Sequence, residues 1–313
     1  MTKRYVFFGS PSYALPCLEA LMGEEGIEVG LVVSQPDKPQ GRKQVLTPTP
    51  VKKRALEAGL PLLCPENINA PEAIAALRRV GADGAVVIAY GQKLGKEILA
   101  LFGESIFNLH ASLLPAYRGA SPIQAALLAG ETETGVSAML VRSGMDSGEI
   151  LAQKRRVIEP EDDGLTLADK LARDSAALMI EVLRDYEGFL KKKQVQDPDQ
   201  VSYTRKITRA DAFLDFHQSA RELYNQVRAL GAWPGAQFTY EGKTYKVHQA
   251  QALPSKVAAP AGTLLALGPE GIDIACGQGV FRILLLQEAG KRPLSARDFL
   301  NGHSWQLGAC LCA

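Results

Sequence analysis

Through the first 190 residues, continuous apolar runs rich in β-formers alternate with helical patterns. Strand patterns fall at 5–8, 28–34, 85–89, 105–110, 135–141 and 150–157. Helical spacing fills 16–22, 51–58, 71–79, 93–101 and 121–129, and then, as one long helix, 166–190. Strands without polar alternation must be covered on both faces, and the intervening helices supply the cover. The pattern therefore predicts an α/β domain, Rossmann-like, with a largely parallel sheet. In such a sheet ligands sit at the carboxyl ends of the strands.

The pattern changes after residue 190. Lys191-Lys192-Lys193 and the polar run from Gln194 to Gln200, which contains Pro198, read as a linker over 191–206. Beyond it come a helical pattern at 219–230 and short strands at 237–240, 244–252, 262–266, 271–275 and 280–287, with Glu241-Gly242 as a hairpin turn. Five short strands and a helix suggest a small β-barrel, with the OB type as the candidate. The expected division is 1–190, linker, 207–313. From Lys191 onward there are 15 basic and 10 acidic residues, a balance of +5 against −4 for the first 190. That asymmetry permits a polyanionic partner and equally suits scattered surface charge.

Other classes drop out on simple grounds. No apolar run approaches the ~18–20 residues of a membrane span, and the run at 5–8 is too short for a signal peptide. Five cysteines, at 17, 64, 276, 310 and 312, form no disulfide framework, and no His/Cys/Asp spacing suggests a metal. A reducing, cytoplasmic setting without membrane or metal is expected. Phe8-Gly9-Ser10-Pro11 follows the first strand, but without Gly-x-Gly-x-x-Gly it gives no dinucleotide fingerprint. His217, His248 and His303 are isolated and read as surface or packing residues.

Asn108 and His110 stand two apart at the end of a strand, so both side chains point to one face. An imidazole can shuttle a proton near neutral pH and a carboxamide can donate to a developing oxyanion, a minimal kit for acyl transfer. For an arbitrary Asn-x-His, two groups bridging loops at a strand end is the commoner outcome. In Ser143-Gly144-Met145-Asp146-Ser147-Gly148, glycines flank an acid, which is usually just a turn. Asp146 could instead orient His110 or take a proton from an amine.

The stretches gain specificity together. Asn108-Leu109-His110-Ala111-Ser112-Leu113-Leu114-Pro115, then Tyr117-Arg118-Gly119-Ala120-Ser121-Pro122-Ile123-Gln124, resembles the signature of the folate-dependent formyltransferases, and Met145-Asp146-Ser147-Gly148 resembles the loop with the family's catalytic acid. The resemblance implies Asn108, His110 and Asp146 as the catalytic trio and Ser112, Leu113, Leu114 and Pro115 as the folate loop. It also implies Phe8, Gly9, Ile88, Ala89 and Tyr90 as the other strand ends lining the pocket. 10-Formyltetrahydrofolate is the implied formyl donor, with no metal.

Within that family, Gln35-Pro36-Asp37-Lys38-Pro39-Gln40-Gly41-Arg42 resembles the basic loop by which methionyl-tRNA formyltransferases grip tRNA. Leu223 to Leu230 with Trp233-Pro234-Gly235-Ala236, and Glu288 to Arg292 with Phe299-Leu300-Asn301-Gly302, resemble their C-terminal domain. The implied partner is initiator methionyl-tRNA, with Arg42 and Lys43 as contacts, and a monomer is expected. The family loop carries further lysines after Gly-Arg, whereas here Lys43 is followed by Gln44-Val45. Prolines at 36, 39, 48 and 50 and Gly41 argue against a helix and predict an exposed loop. A transferase for a nucleotide sugar or glycinamide ribonucleotide, a formyl-folate hydrolase, and a non-catalytic RNA-binding protein remain rivals at this level.

Overall fold

The computed structural model describes residues 2–41, 44–256 and 258–311. In chain order the first half runs β1 (Lys3–Gly9), α1 (Leu15–Gly23), β2 (Ile27–Val33), β3 (Lys38–Gln40), β4 (Val45–Thr47), α2 (Pro50–Glu57), β5 (Leu62–Leu63), α3 (Pro71–Val80), β6 (Gly84–Ile88), α4 (Lys96–Phe102), β7 (Ile106–His110) and β8 (Arg118–Gly119). There follow α5 (Pro122–Ala129), β9 (Glu133–Leu140), β10 (Ile150–Val157), α6 (Gly164–Arg184), α7 (Tyr186–Lys191) and β11 (Tyr203–Thr204). The chain divides into two compact units. The first holds residues 1–122, 133–157 and 168–204, and the second holds 123–132, 158–167 and 205–313.

The first unit is built on a seven-stranded sheet in the order β10-β9-β7-β6-β1-β2-β5. The strands from β7 to β5 pair parallel, while β9 runs antiparallel to both β7 and β10. The largely parallel sheet read from the apolar runs is thus present. Val6, Phe7, Phe8, Val86, Phe107 and Ile106 have no exposed surface, as strands covered on both faces require. The strand order reverses between β1 and β6, a switch point that leaves a crevice at the carboxyl ends.

Three local expectations are corrected. The helix predicted over 166–190 breaks at Asp185, which leaves helical geometry (φ −130°, ψ 48°) and caps α7 by accepting from Gly188 N–H. The segment 36–50 is not loop throughout, because β3 and β4 form a short hairpin pairing Lys38 with Thr47 and Pro39 with Leu46. Prolines 36, 48 and 50 fall outside that ladder, and Gly41 (φ +68°) accepts from Gln44 N–H to turn the chain. The stretch 194–204, read as linker, is held inside the first unit: Gln194 exchanges both backbone hydrogen bonds with Ile150, and β11 pairs with β8.

In the second unit, α8 (Ala220–Leu230) starts on a capping box in which Ser219 and Glu222 satisfy each other's backbone N–H. The strands β12 (Ala236–Tyr240), β13 (Lys243–Leu253), β14 (Leu264–Gly268), β15 (Gly271–Ala275), β16 (Val280–Glu288) and β17 (Leu294–Ser295) precede α9 (Ala296–Leu300). They form one antiparallel sheet, β12-β13-β16-β15-β14, with β17 on β16. Among the described residues β12 and β14 end the ladder and do not pair with each other. Glu241-Gly242 is the two-residue turn expected, since Tyr240 pairs with Lys243. Phe216, Phe238, Tyr245, Phe281 and Phe299 fill the core with Trp305 against them.

Each of the three lone histidines has a hydrogen-bond partner. His248 Nε2 meets Gln287 Oε1 at 2.9 Å, and His217 pairs with Asp215. His303 stacks on Phe299 and donates to Glu288, whose carboxyl is drawn down to about 2 by His303 and Lys291.

Candidate active site

Two of the expected site residues, Asn108 and His110, lie at the carboxyl end of β7. Asn108 lies between Val87 of β6 and Met139 of β9, and His110 lies opposite Ser137. His110 is 6% exposed. Its Nε2 contacts the Tyr117 carbonyl oxygen at 2.9 Å, and its Nδ1 stands 3.7 Å from Asp146 Oδ2. A carbonyl can only accept, so Nε2 carries the proton of the neutral ring. Nδ1, which carries no proton in that tautomer, is the nitrogen that faces the Asp146 carboxylate. The Asn108 carboxamide, half-buried, makes no hydrogen bond recorded among the described residues, which leaves its donors to a ligand.

Asp146 sits in the loop between β9 and β10 with φ +46°, a left-handed conformation uncommon outside glycine. Its Oδ2 accepts from Gly119 N–H at 2.8 Å. At the base of the loop Arg142 Nε donates to Glu149 Oε2 at 2.9 Å, and this guanidinium holds the Glu149 carboxyl below the usual range. Gly148 is dictated by close approach, since a Cβ there would lie 1.7 Å from the Leu140 carbonyl oxygen.

The loop after β7 is pinned by two side chains. Ser137 Oγ donates to Ser112 O at 2.7 Å and accepts from Leu114 N–H at 3.0 Å. Gln153 Nε2 donates to Leu114 O and to Ser137 Oγ. At the neighbouring strand ends Gly9 pairs with Ile88, and Ser10 Oγ donates to Tyr90 O at 3.0 Å while accepting from Gln35 N–H.

Two family models match the chain, formyl transferase over residues 3–183 and formyl transferase, C-terminal domain, over 206–304. The chain belongs to the formyl transferase family. A methionyl-tRNA formyltransferase of Xanthomonas axonopodis pv. citri is 44% identical over 303 residues, 95% of this chain and 97% of that protein. One from Halothermothrix orenii is 40% identical over 309 residues, 97% of this chain and 98% of that protein. Among solved structures, a sugar 3N-formyl transferase crystallised with dTDP and 5-N-formyl-THF superposes with a TM-score of 0.66 at 17% identity, covering 93% of this chain and 99% of its own. An N-formyltransferase from Helicobacter canadensis, in complex with folinic acid and dTDP-3-aminofucose, gives 0.64 at 16% identity, covering 90% and 99%. At those identities the likeness concerns the fold.

In this formyl transferase the expected residues divide into three groups. Asn108, His110 and Asp146 come together, and Ser112 to Pro115 form the adjoining loop, with Ser112 and Leu114 buried and Leu113 and Pro115 half-buried. At the other strand ends Phe8 and Ile88 are sealed in the core and Tyr90 is 2% exposed, its ring edge-on to Phe8. Burial pushes the Tyr90 phenol pKa up, and its hydroxyl has no partner among the described residues. These three side chains are packed in the core, while Gly9 and the exposed Ala89 (φ +47°) stand at the strand-end turns. Arg42 and Lys43 lie outside the described residues.

Lys193 is tied to Glu104 at 2.8 Å, while Lys191 and Lys192 are exposed. Among the described residues no group of His, Cys, Asp and Glu could hold a metal ion, and no helix is long and apolar enough to cross a membrane. Sequence reasoning missed Ser137, Gln153 and Gln196. Each acts on residues far away in the chain, and a lone Ser or Gln carries no local signal of that.

Proposed function

We propose that this formyl transferase moves the formyl group of 10-formyltetrahydrofolate onto the α-amino group of methionine carried by initiator tRNA. One observation carries the reading: Asn108, His110 and Asp146 meet at a single strand end in a chain related along 95% of its length to a protein named methionyl-tRNA formyltransferase. The free carboxamide of Asn108 and the backbone at Gly9 and Ala89 fit a polar, partly planar ligand. Ser112, Leu113, Leu114 and Pro115 hold it from the other side, with Phe8, Ile88 and Tyr90 as the packed wall beneath.

The donor supplies a formyl group already activated on a nitrogen leaving group. Asn108 donates to the formyl oxygen as negative charge develops there. The proton that His110 delivers is carried at Nδ1, the nitrogen that faces the Asp146 carboxylate. The amine must lose one proton and the leaving nitrogen must gain one. Asp146 assists the loss and His110 makes the delivery, so the pair passes one proton across and ends as it began. Positioning and charge stabilisation carry most of the catalysis.

Residues 207–313 and the basic residues Arg42 and Lys43 serve tRNA in this reading, residues 1–190 serve chemistry, and the enzyme works as a cytoplasmic monomer. The test is formylation of methionyl-initiator tRNA against methionyl-elongator tRNA, an amino-sugar nucleotide and glycinamide ribonucleotide. Preference for initiator tRNA supports the reading. Faster transfer to any of the other amines overturns it.

A further inference from the structure

We infer that residues 194–204 form a strap whose side chains Gln196 and Ser202 position the His110–Asp146 pair. The inference rests on the catalytic reading of that pair. The strap touches both ends of it. Gln196 is 6% exposed, and its Nε2 donates to the carbonyl oxygens of Asp146 at 2.8 Å and Gly148 at 2.7 Å. Its Oε1 accepts from Arg118 Nε at 3.0 Å and Nη2 at 2.8 Å. One buried amide thus ties the Asp146 loop to the segment after β7. Six residues on, Ser202 Oγ accepts from Tyr117 N–H at 2.8 Å and Ser202 O accepts from Arg118 N–H at 2.9 Å. Tyr117 is the residue whose carbonyl accepts from His110 Nε2.

Both held residues are conformationally unusual. Tyr117 (φ +59°) and Asp146 (φ +46°) are left-handed non-glycine residues, a state that persists only where the surroundings fix it. The fit is close, since a Cβ on Gly119 would come within 2.4 Å of Thr204 O, and Thr204 Oγ1 also accepts from Ser121 N–H. Asp146 is the charged group beside the ring, and Arg118 reaches its loop through Gln196. The strap therefore fixes which nitrogen of His110 carries the proton and how far the carboxylate stands from the other. Gln196 and Ser202 are positioning residues, because neither is recorded in contact with Asn108 or the His110 ring.

The experiment uses the whole chain with Gln196→Glu and Ser202→Ala. Glutamate keeps an acceptor for Arg118 and hence the fold, but turns a carboxylate on the two carbonyls. Ser202 is exposed, so its loss leaves packing intact. With thermal midpoints retained, kcat for formyl transfer should fall about 10- to 100-fold in Gln196→Glu, as misplaced catalytic groups do. KM for the formyl donor should stay within about twofold, because donor contacts are untouched.

A second readout needs no substrate. In protein labelled with ¹⁵N-histidine, which holds four histidines, the parent His110 should show the Nε2–H tautomer and Ser202→Ala a mixture of both. An active parent whose two variants match it in kcat and tautomer overturns the inference. A parent inactive on methionyl-tRNA overturns the functional reading instead, and the tautomer change in Ser202→Ala would still support the strap.

Discussion

Asp146 Oδ2 stands 3.7 Å from His110 Nδ1 and takes a 2.8 Å hydrogen bond from Gly119 N–H, so one carboxylate oxygen faces the ring and anchors the loop together. Its charge and its anchoring can be separated. Asp146→Asn keeps an acceptor for Gly119 and loses the charge beside the imidazole. Turnover should drop about 10²- to 10⁴-fold, the usual contribution of a positioned proton-transfer group. Thermal stability should hardly change. Unaltered turnover in that variant would leave Asp146 a purely structural residue.

Asn108→Ala removes a donor that no other recorded group of the protein uses. We expect kcat to fall about 10²–10³-fold, as for a deleted oxyanion donor. Michaelis constants should move little, because the hydrogen bond strengthens in the transition state. An effect confined to KM would make Asn108 a ground-state binding residue.

Acid stability should depend on Asp174. This carboxylate is 2% exposed and accepts from Arg156 Nε at 2.7 Å, with Lys154 Nζ at 3.1 Å. Burial alone would raise its pKa, but the hydrogen bonds from Arg156 and Lys154 outweigh it and the folded value is lowered. A depressed folded pKa contributes stability that is present above the unfolded value of about 3.9 and is lost as pH falls through the folded one. Asp174→Asn should therefore lower stability at pH 7 by about 1–3 kcal/mol, the cations remaining partly in water. It should also flatten the loss below pH ~4. Melting curves of parent and variant from pH 3 to 8 test this, and parallel curves would contradict it.

The hairpin β3–β4 presents Val45 and Leu46 to solvent, and Arg42 and Lys43 precede them in the sequence. If Arg42 meets a tRNA phosphate, Arg42→Leu should make the salt dependence of tRNA use shallower by about one unit of slope. Affinity for the formyl donor should not change. A joint fall of tRNA efficiency and donor affinity would assign Arg42 to the active site instead.

The parallel sheet was legible because β1 and β6 carry apolar runs without alternation, and the face shared by Asn108 and His110 followed from period two alone. The hairpin over 38–47 was hidden by prolines that prove to flank the ladder or to sit opposite Leu46 within it. The break at Asp185 was hidden because one capping carboxylate interrupts a helical pattern that is apolar on both sides of it. The strap was misread because Gln194 to Gln200 is polar, and polar sequence usually means solvent. Here Gln196 serves the Asp146 and Gly148 carbonyls and the Arg118 guanidinium, which lie 48 or more residues away in the chain.

The most direct test is single-turnover formyl transfer to methionyl-initiator tRNA by the parent and by His110→Asn, with donor binding measured alongside. The account predicts unchanged donor binding, a retained fold and near-complete loss of transfer in the variant. Transfer by His110→Asn within a few-fold of the parent would contradict it.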